Sequence, residues 1–429
     1  MSDFRTKAPI HHPVTQIDLP NVDTLKLDNG TIRHNLRAGE QDLVKLDIMF
    51  HAGLKAASKP LQSSMTAKML TEGTQEFSAQ NLAEQLDYYG AYLHITPGYD
   101  FSVMSFLTLS KHLDAMLPYL KSVIHEPVFP EKEFEILRTK RQHKFIEDSE
   151  KVSVMAQRRF FRHLMGPEHP YAPFEDIQVY QNIQRDDLVE FHQNHYRPND
   201  LNLIVCGQAS DKALYQLDNL LGDASWKKND IAQNQSQPFQ PIFGTEWIEK
   251  KGATQNAIAL GIPLPNKISD DYFKLRVLIT ALGGYFGSRL NMNIREDKGY
   301  TYGIRASYLS FQAGGALFIF SEVGSHVCQP AYDEIQKEII KLKEEKISET
   351  ELHMVRSYMM SKIMSEVDGP FARANTLESL IGFGLDWDHY KKLIHTVQTI
   401  TPEEIQETAQ KYFDLDKQIT IIAGQVPNT

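Results

Sequence analysis

Hydrophobic positions along this chain fall into two rhythms. Val44, Leu46, Ile48 and Phe50 recur at every second residue, as do Ile258, Leu260 and Ile262, which is the spacing of a strand that buries one face. Leu113, Met116, Leu117 and Leu120 recur at helical spacing, and so do Ile335, Ile339, Ile340 and Leu342, as in a helix with one apolar stripe. Strands and helices alternate irregularly, and no Gly-rich phosphate loop joins them. The pattern therefore predicts an α+β fold, sheets layered with helices, rather than a nucleotide-binding α/β fold.

The rhythms also repeat. Phe129–Arg138 (FPEKEFEILR) aligns without a gap on Ile347–Arg356 (ISETELHMVR): an apolar residue, an acidic first turn, then an apolar stripe. Ser348 and Glu351 have capping-box spacing, and Pro130 holds the first-turn position of the other copy. A second match at nearly the same offset pairs Gln181–Leu188 with Gln398–Ile405 and runs through Tyr196 and Tyr412 into strands at 201–208 and 418–425, each ending in Gly-Gln. Two matches at one offset argue for duplication. Asp223–Pro241, rich in Asn, Gln, Ser, Lys and Pro, has the composition of a linker. The expected organisation is a first half at 1–225, a linker at 226–241 and a second half at 242–429.

Composition narrows the function. A chain of 429 residues exceeds what one core organises, and 41% hydrophobic with 23% charged residues is ordinary for a soluble protein. A net charge of −10 offers no broad basic surface for nucleic acid or anionic lipid. Neither a secretory signal nor a bilayer-length apolar run is evident, so no membrane partner and a cytoplasmic location are expected. Cys206 and Cys328, the only cysteines, read as packed thiols in a reducing compartment.

The segment with the most chemistry is Gly283–Tyr302 (GGYFGSRLNMNIREDKGYTY), in which Arg295 and Tyr302 stand seven residues apart. A helix ending near Arg295, a tight turn through Lys298 and Gly299 and a strand from Tyr300 would bring a guanidinium and a phenol to one point, where they could stabilise an oxyanion. The plainer alternative is a solvated arginine followed by a half-buried tyrosine. Gly283 and Gly284 suit a close approach or a left-handed turn. Ser288 and Arg289 read as turn and helix-start residues.

In order along the chain, Leu25–Gly30 (LKLDNG), Phe50–Gly53 (FHAG), Thr71–Thr74 (TEGT), Glu168–Tyr171 (EHPY), His195–Pro198 (HYRP), Gly283–Tyr302 and the final Ala423–Gln425 (AGQ) make the chain resemble the insulinase/pitrilysin-type metallopeptidases, in particular the processing-peptidase-like branch. That resemblance implies two homologous α/β sandwich-like halves, each a mainly antiparallel sheet packed with helices, closing as a clamshell around a chamber for unfolded peptide. It also implies an inverted zinc motif, H-x-x-E-H, in the first half with a more distant Glu ligand, and an Arg and a Tyr from the second half that hold the tetrahedral intermediate. Two imidazoles one helical turn apart and a carboxylate leave one zinc position open for water, and the motif's Glu takes the proton.

Here the chain departs from the family. Counting back from Gly73, the motif positions hold Ser64, Met65, Thr66, Ala67 and Lys68, and the distant ligand falls near Gln142, beside His143. Both histidines and the base are missing, and a lysine ammonium has no lone pair for a metal. No metal or cofactor is expected in this chain. Other histidines offer no replacement: His192 and His195 read as a surface pair, His51 and His169 as packed and hydrogen-bonded, and His11–His12 as an adventitious site at most. Glu147 and Asp148 read as solvated charges.

Some members of the family are two-chain enzymes, one subunit carrying zinc and the other supplying Arg and Tyr. The resemblance implies that this chain is of the second kind: inactive alone, paired with a homologous zinc-bearing subunit, binding extended peptide, with Arg295 as cationic stabiliser and Tyr302 as hydrogen-bond donor. A homodimer when isolated is also compatible. The alternative is a non-enzymatic structural or peptide-binding scaffold subunit.

Overall fold

The computed structural model describes residues 17–228 and 236–426. The first stretch runs β1 (Asp23–Lys26), β2 (Ile32–Leu36), β3 (Leu43–Phe50), α1 (Gln62–Met69), α2 (Ala79–Tyr88), β4 (Tyr92–Pro97), β5 (Ser102–Leu109), α3 (Leu113–His125), α4 (Glu131–Ser149), α5 (Val152–Met165), α6 (Val179–Asn182), α7 (Arg185–His195), β6 (Asn202–Gly207) and α8 (Asp211–Gly222). The second runs β7 (Gly244–Glu249), β8 (Gln255–Leu264), α9 (Tyr272–Ile279), β9 (Thr301–Phe311), β10 (Gly314–Gly324), α10 (Cys328–Glu344), α11 (Glu349–Glu366), α12 (Pro370–Ile381), α13 (Trp387–Thr399), α14 (Pro402–Tyr412) and β11 (Ile419–Gly424). Two π-helical turns, Thr280–Gly284 and Asn291–Asp297, lie between α9 and β9.

The strands form two sheets in the orders β1-β2-β6-β3-β5-β4 and β7-β11-β8-β10-β9. Leaving out β1, the two sheets match strand for strand. In each, β2–β6 or β7–β11 is the parallel pair and the remaining neighbours are antiparallel. The fold is α+β with two mainly antiparallel sheets. The repeat extends to local chemistry. Gln184 with Asp187 and Thr401 with Glu404 both form complete capping boxes, which start α7 and α14 at matching positions. Gly207 and Gly424 both end their strands at positive φ, where an added Cβ would lie 2.2 Å from Leu43 O or Asn256 Oδ1 respectively. Pro130 and Ser348, aligned in the repeat, are both N-caps, of α4 and α11, so Pro130 precedes the first helical residue and brings no side-chain acceptor to the cap. At α11, Ser348 accepts from the Glu351 amide, but the Glu351 carboxylate forks onto Arg289 instead of completing the box.

Each sheet packs its own helices on one face, around Leu46, Ile48 and Phe106 in the first and Leu260, Ile319 and Ile335 in the second. The opposite faces are covered by exchange. Helix α5, from the first half of the chain, lays Ala156, Phe160 and Leu164 on Ala257, Ala259 and Ile421 of the second sheet. Helix α12, its counterpart in the repeat, lays Ala374 and Leu377 on Met49, Ile204 and Cys206 of the first. Gly261 is required beneath α5, since a Cβ there would stand 2.6 Å from the Phe160 ring. Burying a side chain such as Phe160 or Leu164 contributes roughly 1.5 to 3 kcal/mol. The exchange corrects the half-buried reading of β3 and β8: Ala257 and Ala259 on the face away from Ile258 are as buried as it is, and the second face of β3 holds Met49 and Asp47 under α12. Cys206 and Cys328 are both buried, and the Cys206 thiol donates to Pro370 O at the start of α12 while burial pushes it up to about 12. Among the described residues, no helix is long and apolar enough to cross a membrane.

Candidate functional site

Helix α1 carries Ser64, Ala67 and Lys68, where the resemblance would place a zinc motif. It is pinned at its start, where Ser63 donates to Ala52 O at 2.6 Å and Gln62 to Asp187 O at 2.8 Å. Residues 64 and 68 lie one turn apart on one face, the arrangement that would let two side chains meet at an ion. Instead, Arg141 of α4 reaches this face, donating to Ser64 Oγ at 2.7 Å and to Ser64 O at 3.1 Å. Ala67 turns into the core and Lys68 into solvent. Of the two neighbours on α4, Arg141 rather than Gln142 bonds Ser64, a contact that the sequence reading missed. A guanidinium keeps its charge in proteins and has no acceptor. A hydroxyl bonded to a guanidinium, a methyl and an ammonium do not suit zinc. Among the described residues, no three of His, Cys, Asp and Glu cluster in a way that could hold a metal ion.

Arg295 and Tyr302 do lie together, but not as phenol and guanidinium converging on a point. Arg295 sits in the π-helical turn Asn291–Asp297, Gly299 reverses the chain at φ +64°, and β9 begins at Thr301. The Arg295 Nε donates to the main-chain O of Tyr302 at 3.0 Å, its Nη1 pairs with Glu296 at 2.7 Å, and its guanidinium lies 4.1 Å from the centre of the Phe286 ring. The Tyr302 side chain is 94% exposed. The backbone bond closes the turn, and the phenol projects outward. Gly283 makes the close approach: a Cβ there would lie 2.6 Å from Ala306 Cβ, and its φ of −160° is extended rather than left-handed. Ser288 is buried and accepts from Asn291, while Arg289 ties this segment to α11 through Glu351.

The other end of β9 leads into the first half. Phe311 packs edge-on against Tyr99 at 4.9 Å, and Gln312 accepts from Lys55. At about 3.4 Å per residue, Tyr302 stands roughly 30 Å along the strand from that contact. Beside the docked end is a groove of 380 Å³ between the halves, lined by Thr96, Gly98 and Tyr99 on one side and Ser310, Glu378 and Phe383 on the other. Strand β4, which brings Thr96 to this groove, is the last strand of its sheet. Among the described residues, its outer edge has no strand partner.

His51, His169, His192 and His195 are all packed or hydrogen-bonded within the fold. His192 is not a surface residue but 8% exposed, with Nε2 donating to Ile124 O at 2.8 Å and burial holding its pKa down at about 4. His195 packs at a tilt against Phe191 at 4.6 Å, His51 packs on Phe101, and His169 bonds Gln237 O. Asp148 and Glu147 pair with Lys151. His11 and His12 lie outside the described residues.

Residues 182–359 match the family model described as "Peptidase M16 inactive domain". The chain is 22% identical over 373 residues to the uncharacterized zinc protease YmxG of Bacillus subtilis, covering 84% of this chain and 88% of that one. It is 20% identical over 433 residues to the mitochondrial-processing peptidase subunit beta of Saccharomyces cerevisiae, covering 96% and 90%. Its fold matches the crystal structure of a peptidase M16 inactive domain from Pseudomonas fluorescens with a TM-score of 0.87, at 21% identity and over 95% and 98% of the two chains. Over most of its length the chain is thus similar to M16 proteins, the insulinase/pitrilysin type, with the family model matching residues 182–359, and its sequence contains no H-x-x-E-H.

Proposed function

We propose that this chain is the zinc-less subunit of a two-subunit M16-type peptidase. The observation that carries the reading is an asymmetry: the motif face of α1 is occupied by Arg141, while the Arg295 turn is intact and leaves the Tyr302 phenol in solvent. A cis site would need that phenol near α1. A phenol projecting from the surface is instead available to a second chain. In this reading a cytoplasmic homologue brings zinc, extended peptide adds to the free edge of β4, Tyr302 donates to the oxyanion and Arg295 stabilises its charge.

A second reading has its own support. The Arg295 guanidinium is already engaged by Tyr302 O, Glu296 and Phe286, as a purely structural arginine would be. On that reading the chain is a scaffold subunit. Coexpression with a zinc-bearing homologue, followed by peptide-cleavage assays of Tyr302→Phe and Arg295→Ala, separates the two. Loss of an oxyanion donor lowers the rate by about a hundredfold or more. Wild-type rates in both variants, with the complex still formed, leave only the scaffold.

A further inference from the structure

We propose that the second half carries a cavity that binds an oxyanion-bearing ligand, a carboxylate or a phosphate. The cavity, 620 Å³, lies between β9, α9, α11, α12 and α13. Four cationic side chains line it: Lys267 from the loop before α9, Arg276 from α9, Arg305 from β9 and Lys362 from α11. Its lining holds one carboxylate, Glu366.

That single carboxylate pairs with Arg276 alone and leaves the other three cations unbalanced. One Glu366 oxygen stands 3.8 Å from Arg276 Nη2, and the other accepts the Tyr390 hydroxyl. Among the described residues, the Arg276 guanidinium donates one hydrogen bond, a long one to Tyr272 Oη at 3.3 Å. Lys267 is held by Ser379, through its hydroxyl at 2.7 Å and its carbonyl at 3.2 Å, neither of which is charged. Among the described residues, neither Arg305 nor Lys362 has an ion-pair partner. Burial and then the neighbouring Arg276 push the Lys267 ammonium down to about 8, despite the opposing pull of Glu366. His389 on the same wall is held near 4 by burial and then by Lys267 and Arg276, so it adds no charge of its own.

Guanidinium and ammonium groups with serine hydroxyls between them are a donor set for oxygen atoms, and the guanidinium fork favours planar or tetrahedral oxyanions. The volume lies within the range of sites for small organic ligands, so the occupant has a body as well as a charged group. Lys267, Ser310 and Ser379 line both this cavity and the groove between the halves. A chain-like ligand lying in the groove can therefore end in the cavity.

The site does not depend on peptidase activity and is tested without it. The full chain is titrated calorimetrically at pH 7 with inorganic phosphate, with a hexapeptide bearing a free C-terminal carboxylate, with the same peptide amidated, and with sodium chloride at equal ionic strength. The Arg305→Ala/Lys362→Ala variant is titrated in parallel; both positions are exposed, and its melting temperature reports that the fold is kept. The expected result is one-to-one binding of phosphate or of the free-acid peptide, weakened tenfold or more in the double variant and absent for chloride. Phosphate binding without preference for the acid peptide assigns a phosphate ligand; preference for acid over amide assigns a carboxylate. Absence of binding by both phosphate and the acid peptide, or equal binding by the double variant, overturns the proposal.

Discussion

Arg141 holds Ser64 by two hydrogen bonds, at 2.7 Å to its hydroxyl and 3.1 Å to its carbonyl, across two helices that are distant in sequence. The contact puts a permanent cation against the face of α1 where an M16 peptidase would gather zinc ligands. Restoring histidines is therefore insufficient. Ser64→His/Lys68→His is expected to carry no stoichiometric zinc after dialysis, by elemental analysis, whereas adding Arg141→Ala raises the zinc content. Stoichiometric zinc with Arg141 still present would show that the guanidinium is not the obstacle.

Glu378 of α12 faces the first sheet, where burial and then Asp47 raise its pKa to about 7, with Lys45 opposing. The folded chain thus keeps a proton that the unfolded chain, with the carboxyl near 4.5, has released. Stability falls as pH rises from about 4.5 to 7 and stays lower above that. Glu378→Gln is expected to gain on the order of 2 to 3 kcal/mol at pH 8 and nothing below pH 4.5, by urea denaturation at each pH. A gain independent of pH would remove the carboxylate as its cause.

His192 works in the opposite direction. Its pKa is about 4 in the folded state against 6.5 ordinarily, so its contribution is complete above pH 6.5 and is lost as pH falls towards 4. His125, also held near 4, adds in the same sense. His192→Gln is expected to cost about 1 kcal/mol at pH 7 through the bond to Ile124 O, yet to lose less stability than wild type between pH 6.5 and 4. Parallel acid limbs for the two proteins would contradict this account.

Gly283 lets the π-helical turn touch β9 at Ala306. Gly283→Ala is expected to destabilise by roughly 1 to 3 kcal/mol because the new methyl meets Ala306 at 2.6 Å. Gly284→Ala meets Thr280 only at 3.3 Å and is expected to cost less. Equal melting temperatures for the two variants would count against the packing argument.

What the sequence makes legible is what short-range chemistry decides. The starts of α4, α7, α11 and α14 follow from proline, capping residues and acidic first turns, all within a few positions of the boundary. The repeat then carries the sheet order, since matching elements pack alike. What stays hidden depends on partners far along the chain. Alternation in β3 and β8 shows the large residues of one face, while Ala257 and Ala259 look like spacers until α5 is seen lying on them. The Arg141–Ser64 contact has no local signature, and the arginine next to the expected Gln142 is unremarkable in isolation. For His192 a signal existed: it lies four residues after Leu188 on the buried side of α7, and its polar neighbours masked it.

The crossing of α5 and α12 has a consequence for how such a chain can arise. A half-length precursor with this architecture would have left one side of its sheet bare, and the remedy open to it was to lend its helix to an identical molecule and borrow one back. Fusion of that mutual loan into one polypeptide makes the embrace permanent. Each arm is then free to drift in sequence, and one helix can do without metal ligands while the clasp that holds the molecule shut is left untouched.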